Sequence, residues 1–397
     1  MTAPSAGEKD DGTLRADETP SHAPSVLTPR FREVLARRYF PALDGLRAVA
    51  VMAVIIGHHS YPVSWVPADL GVSAFFVLSG FLITRLLMRE EASTGTISLR
   101  MFYARRTLRI FPAYYAFLLL SFVLDSIQGS RWSAWLGISA LTYTVNYFNA
   151  FNRHPSNSIS HAWSLGVEEQ FYLLWPLGFI LLARRGRRAL ITGVSIVALL
   201  AVAWRSHLML KGADVAYLYN AFDTRFDNLA VGCLLALAAD SALVADGAER
   251  LARRAWYPLV TLGLLLGSRW LTPEAYHYSA GFTINAVLVA VLIAQLLQLY
   301  VHPLWSWLEH PVTRYLGAIS YPMYLYHQWG DSVGRHTVSG KPAVFAVGLA
   351  ATIALATGSY FVIERPFQRL RHRFDAVRRA QPMAPAARET IPGSALL

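Results

Sequence analysis

Apolar stretches close to the roughly 20 residues that a helix needs to cross the hydrocarbon core of a bilayer recur along the whole chain. They lie near 42–60, 69–88, 109–126, 162–182, 189–206, 222–239, 256–271, 281–301, 313–330 and 343–363. The pattern predicts an all-α fold, a polytopic membrane helix bundle of about ten transmembrane helices filling residues 39–367. A further stretch, 132–150, is partly apolar. As a full span it would carry the ARRGRR loop at 183–188 to the outside, against the positive-inside bias, so it is read as re-entrant or lying at the outer interface. Residues 1–38, rich in Pro, Ser, Thr and acids, read as a disordered cytoplasmic tail, and residues 368–397 as a basic cytoplasmic tail. The first apolar run begins only after Arg30, Arg32, Arg37 and Arg38, too far in for a usual cleaved signal peptide.

Composition sharpens this picture. Of 397 residues 54% are hydrophobic and 15% charged, too apolar a balance for an ordinary soluble fold. The formal net charge of +11 comes from arginines set in short loops between apolar runs, the signature of cytoplasmic membrane loops and not of a nucleic-acid face. A multi-pass cell-membrane protein with both termini cytoplasmic follows, its first partner the lipid bilayer, with no nucleic acid among its partners. The lone cysteine, Cys233, offers no internal disulfide and no Cys-based metal cluster. HExxH, Walker and GxSxG sequences are absent and the histidines are scattered, so no metal is expected and hydrolase chemistry of those classes lacks support.

Ionisable groups inside apolar spans are costly and therefore informative. PALDGLRAVAVMAVIIGHHS carries Asp44, Arg47 and His58. The eleven-residue step from Arg47 to His58 returns to within about 20° of one helix face and covers roughly 16 Å. Anchoring at the two headgroup levels is one reading; a functional stripe through the membrane is the other. His59, about 100° away, is expected to face the outer interface. Gly71, Ser79 and Gly80 in GVSAFFVLSGFLIT read as small packing groups. Arg85 either snorkels or meets a phosphate. FYARRTLRIFPAYY sets Arg105, Arg106 and Arg109 at the mouth of the third span, where positive-inside topology or bidentate phosphate binding explains them.

SHAWSLGVEEQFYLLWP brings His161, Ser164, Glu168 and Glu169. Ser164 fits an N-cap with an acid favouring the helix dipole, which accounts for one carboxylate and not for two. Glu168 then stands near the depth of His58, placed to orient an imidazole or to take part in proton transfer. YNAFDTRFDNLAVG offers Asp223, Arg225 and Asp227 for ion pairing or substrate contact. In LGAISYPMYLYHQWG, Ser320, Tyr324 and His327 share a face.

Taken together, LDGLRAVAVMAVIIGH, FFVLSGFLIT, FYARRTLRIFPAYY, WSLGVEEQFYLLWP, FDTRFDNLAVG and ISYPMYLYH, in that order over about residues 39–367, resemble the membrane-bound acyltransferase type 3 family, which O-acylates sugars, glycans and some antibiotics. The resemblance implies transfer of an acyl group, usually acetyl, from cytosolic acyl-coenzyme A to an acceptor hydroxyl. It implies catalysis by Arg47 and His58 and a donor site at Arg105, Arg106 and Arg109. One departure stands out: the family often reads GVDLFF where this chain has Ser73 in place of the acid. Some members append an extracytoplasmic hydrolase-like domain. The basic tail is too short for one, so the expectation is that this chain acts alone or hands its acyl group to a separate extracytoplasmic transferase.

The resulting expectation is an integral membrane O-acyltransferase. Arg105, Arg106, Arg109 and Arg85 hold acyl-CoA, with acetyl-CoA the expected donor; His58 is the general base, Glu168 orients it, and Arg47 stabilises donor or oxyanion. Asp44, His161, Arg225, Asp227, Tyr324 and His327 are expected around a hydroxylated sugar, cell-envelope glycan or glycolipid. A covalent variant would acylate His58, Ser164 or Tyr324 first. The alternatives are O-acylation of a macrolide or other antibiotic sugar and, in another class, a transporter or flippase whose buried charges form a substrate path.

Overall fold

The computed structural model describes residues 30–37, 39–59, 66–371 and 374. Every regular element among them is helical. A short helix, α1 (Phe31–Ala36), precedes α2 (Pro41–His59), which opens on a proline, where the missing N–H costs a helix nothing. α3 (Ala68–Thr94) and α4 (Leu99–Ile127) follow. α3 ends at Gly95, whose φ of +71° places it in the left-handed region that glycine enters without a Cβ clash. Ser98 caps α4 by accepting from Met101 N–H, and its own N–H donates to the buried Glu90 carboxylate at 2.9 Å, which fixes the α3–α4 turn.

Two short helices, α5 (Ala134–Leu141) and α6 (Val145–Phe151), occupy the stretch expected to be re-entrant or interfacial. At about 1.5 Å per residue neither is long enough to span. Next come α7 (Trp163–Ala183), α8 (Arg187–Leu210), α9 (Val215–Asn220), α10 (Phe222–Ala238), α11 (Ala242–Leu251) and α12 (Tyr257–Trp270). α13 (Glu274–Tyr276) runs through a π-helical turn, His277–Gly281, into α14 (Phe282–Leu299). α15 (Pro311–Ala318), α16 (Ser320–Thr337) and α17 (Lys341–Ser359) follow, and a second π-turn, Tyr360–Glu364, leads into α18 (Arg365–Arg371).

Among the described residues seven helices are long and apolar enough to cross a membrane, and up to eight if Val215–Ala238 and Ala242–Leu251, bent by 108°, form one span. The two expected spans outside that count are helical but different in kind. α12 has 14 residues, about 21 Å, and the stretch 313–330 breaks at Ile319 into α15 and an α16 that carries Ser320, His327 and Asp331. Residues 31–36, expected within the disordered tail, form α1 instead. Phe31, Val34 and Leu35 are buried there, and Arg85 and Arg89 donate to the Leu35 carbonyl at 2.7 and 3.1 Å. The rest of the N-terminal tail, and nearly all of the basic tail after Arg371, lies outside the described residues.

Small residues set the helix order. A Cβ at Gly80 of α3 would collide with the Leu229 carbonyl of α10, and one at Gly232 of α10 with the Val77 carbonyl of α3, so the two backbones touch. Gly71 brings α3 close to α2 at the Ala50 carbonyl as well, and Gly317 of α15 abuts the Asp44 carbonyl at the start of α2. α3 is thereby wedged between α2 and α10, while Leu119, Phe122, Leu173, Leu199, Leu200 and Leu264 point outward as a lipid-facing rim. The protein is a helical multi-pass membrane protein.

Candidate active site

A cavity of about 540 Å³ lies where α2, α3, α4, α7 and α16 meet. It is lined by five arginines, Arg47, Arg85, Arg89, Arg106 and Arg109, and by the carboxylates of Asp44, Glu168, Glu169 and Glu364. Arg47 is held by Asp44 at 2.7 Å. Tyr39 donates its hydroxyl to the other Asp44 oxygen and receives a bond from Arg314 at 3.4 Å. Burial and the Asp44 charge push the Tyr39 phenol up to about 12, so it stays a donor throughout the physiological range. The Arg106 guanidinium stacks 4.6 Å above the Tyr172 ring. Glu168 accepts from Ser79 at 2.9 Å and from Tyr172 at 3.3 Å, and Tyr172 also donates to Ser79 at 2.9 Å.

Ser164 and Tyr324, whose hydroxyls are 2.7 Å apart, also line the cavity. Tyr324 also donates to the His161 carbonyl at 2.7 Å. Behind this pair stand three imidazoles that do not line the cavity: His161 is 4.9 Å from His327, and His327 is 4.8 Å from His58, ring centre to ring centre. His161 and His327 are buried and His58 is exposed. His58 Nδ1 lies 2.8 Å from the Val54 carbonyl. A carbonyl only accepts, so the neutral ring carries its proton on Nδ1 and keeps Nε2 as the basic nitrogen. Among the described residues no group of three His, Cys, Asp or Glu is arranged to hold a metal ion.

Several expected sites are redistributed by this geometry. Asp44 and Arg47 face the cavity, whereas His58 tops the same helix beyond it. Glu168 does not orient His58: its oxygens go to Ser79 and Tyr172, and Val54 holds the imidazole. Ser79 is therefore cavity wall and not a packing residue, while Gly71 and Gly80 do pack. His59 does not face the interface; its side chain is 3% exposed and Nε2 sits 3.1 Å from Asp331 of α16. Ser164 lies inside α7, which has no side-chain cap, and spends its hydroxyl on Tyr324. Of the arginine trio, Arg106 and Arg109 line the cavity, but Arg105 turns aside to Glu90 at 2.7 Å and to the Phe374 carbonyl at 2.8 Å. Arg85 lines the cavity while donating to Leu35.

Asp227 is committed to Arg205 and Thr283 away from the cavity. Arg225 lies on that same side, with Ser73, the departure from the family pattern, 3.4 Å away. The cavity also exposes residues that the sequence reading does not single out, Tyr172, Tyr321, Arg89, Glu364 and Gln368. Glu364 had a usable signal, an acid inside the apolar run that ends in VIERPF, and is 3% exposed on the second π-turn.

The family model described as an acyltransferase domain, of acyltransferase type 3, matches residues 40–361, a stretch that contains the whole cavity except Glu364 and Gln368 and the α1 residue Ala36. The chain belongs to this acyltransferase family. It is 32% identical over 371 residues to the O-acetyltransferase OatA of Staphylococcus aureus strain NCTC 8325, covering 86% of this chain and 59% of that relative. It is 29% identical over 358 residues to the peptidoglycan O-acetyltransferase OatA of Listeria monocytogenes, covering 84% of this chain and 56% of the relative. The chain thus spans less than two thirds of the curated relatives it matches. No solved structure matches it.

Proposed function

We propose that this acyltransferase moves an acetyl group from acyl-coenzyme A on the cytoplasmic side to a hydroxyl of a cell-envelope glycan on the outer side. The observation that carries the reading is the cavity with a four-arginine mouth and the Ser164–Tyr324 pair in its wall, in a chain whose relatives are named O-acetyltransferases. Arg85, Arg89, Arg106 and Arg109 offer guanidinium groups that suit the phosphates of the donor, and the arginine-rich loops make that mouth cytoplasmic by the positive-inside bias. Arg105 supports them by fixing α4 to α3.

The donor's acyl end extends along Arg47 toward Ser164 and Tyr324. Arg47, rigid through Asp44 and Tyr39, steadies the donor or the charge developing on the thioester oxygen. Glu168, with Ser79 and Tyr172, forms the polar wall on which the thioester lies. His58 approaches from the exposed side with Nε2 unprotonated. It removes the proton of the acceptor hydroxyl as that oxygen attacks the acyl carbon, the carbon–sulfur bond breaks, and the coenzyme leaves as a thiolate that takes up a proton. The Ser164–Tyr324 hydrogen bond separates cavity and histidines, so transfer requires it to part. His161 and His327 back His58 from inside the bundle, and their burial leaves the outer hydroxyl to His58.

The test is thiol release from acetyl-coenzyme A by the full chain in nanodiscs, with and without peptidoglycan fragments. Wild type releases thiol and acetylates the glycan, and His58→Ala lowers the rate by about 10²–10⁴-fold with unchanged thermal unfolding. Silence of the wild type with every acyl donor and glycan overturns the reading.

A further inference from the structure

A second buried polar cluster lies between α8, α10 and α14, separated from the cavity at Phe76, whose ring lines the cavity and stands 5.7 Å from the Arg225 guanidinium. Two carboxylates there are already committed. Asp227 receives both terminal nitrogens of Arg205, at 2.9 and 3.1 Å, and the Thr283 hydroxyl. Asp69, in the first turn of α3, lies 3.1 Å from His277 Nε2 and 3.5 Å from Arg269 Nε.

Arg225 has no such counterpart. It is 0% exposed, its Nε and Nη1 have no hydrogen-bond partner, and Nη2 reaches only the neutral Ser73 hydroxyl at 3.4 Å. Rings surround the guanidinium instead, Phe282 at 3.7 Å, Tyr219 at 5.4 Å, and Phe76 and Trp163 at 5.7 Å each. Ring faces attract a cation but accept nothing comparable from N–H groups pointing along the guanidinium plane. Asn285, on the adjoining α14, leaves both of its amide atoms unpartnered as well. Leaving His277 out of the count, three arginines, the fully buried Arg205 and Arg225 and the partly exposed Arg269, face two carboxylates, Asp69 and Asp227, a surplus of one positive charge. An unpaired buried charge is strongly disfavoured, and one small anion neutralises the cluster and satisfies the donors.

We propose that Arg225 is the base of a buried anion site that takes one compact monovalent anion, a halide or a small carboxylate. The closed aromatic wall excludes larger or doubly charged species. The site is independent of the acyl-transfer reading and lies outside the cavity. Ser73 supplies its internal control, because Ser73→Asp places a tethered carboxylate beside Arg225.

The experiment is thermal unfolding of the full chain in nanodiscs at constant ionic strength, with gluconate replaced stepwise by chloride or by acetate, and with phosphate in a parallel series. Wild type gains stability along a saturable curve with chloride, acetate or both, which identifies the natural class of occupant, and phosphate has no such effect. Ser73→Asp starts near the anion-saturated wild-type temperature and shows at least a tenfold loss of apparent anion affinity. Arg225→Gln loses the response. A flat wild-type curve, or a wild-type response surviving in Arg225→Gln, overturns the proposal. The latter comparison decides the matter even if Ser73→Asp fails to fold.

Discussion

The cavity wall and the Arg205–Asp227 knot are both buried, both charged and both built from α-helical side chains, yet they are organised in opposite ways. In the knot, two guanidinium nitrogens meet two carboxylate oxygens and Thr283 adds a further donor, all within the core. In the cavity, four carboxylates and five arginines border about 540 Å³ of space. Arg47 meets Asp44, whereas Glu168 is held by hydroxyls alone. Charge packed against charge in the core fixes helices; charge that also borders a void can be reached by a ligand. The same contrast separates neighbours on α4, where Arg105 is spent on Glu90 and Arg106, one residue later, faces the cavity.

That contrast is open to direct attack. Asp227→Ala leaves Arg205 buried and unpaired and should cost about 3–5 kcal/mol, read as a large fall in the unfolding temperature. Glu168→Ala should instead lower acyl transfer by about tenfold, through loss of the polar wall beside the thioester, at nearly unchanged unfolding temperature, and a reversal of these two results would dissolve the distinction. Within the arginine pair, Arg106→Gln should raise the KM for acetyl-coenzyme A by about tenfold through the loss of one charge-assisted contact. Arg105→Gln should leave KM within about twofold and lower stability through the stranded Glu90. Gly80→Ala forces α3 from α10 and is expected to cost about 1–3 kcal/mol, measured by thermal unfolding. The smallest effect belongs to Tyr39→Phe, about 0.5–1.5 kcal/mol, with turnover reduced through a looser Asp44–Arg47 pair.

Much of this was legible in the chain. Ten apolar runs mark ten helical regions, and the 3.6-residue repeat puts Asp44 and Arg47 on one face of α2. Periodicity states which residues share a face; it does not state what that face meets. From the sequence alone His59 reads as interfacial and Ser79 as a packing residue, whereas Asp331 of α16 stands opposite the first and Glu168 of α7 against the second. The apolar run at 256–271 matches α12 almost end to end, and both fall short of the roughly 20 residues that a span needs. Glu364 stands visible as an acid in the apolar run ending in VIERPF, whereas the folding of α1 depends on contacts with Arg85 and Arg89 of α3, far along the chain, which no local pattern carries.

The π-turn at Tyr360–Glu364 gives the end of the bundle an adjustable phase. A π-turn houses one more residue than the α-helix around it, and each residue turns a helix by about 100°. Deleting a single residue from this turn would restore an unbroken α-helix through α17 and α18 and swing Glu364 and Gln368 away from the cavity by about a quarter turn. The acidic lining at the arginine mouth is thus set by a surplus of one peptide unit, a feature that residue-by-residue substitution would never reveal.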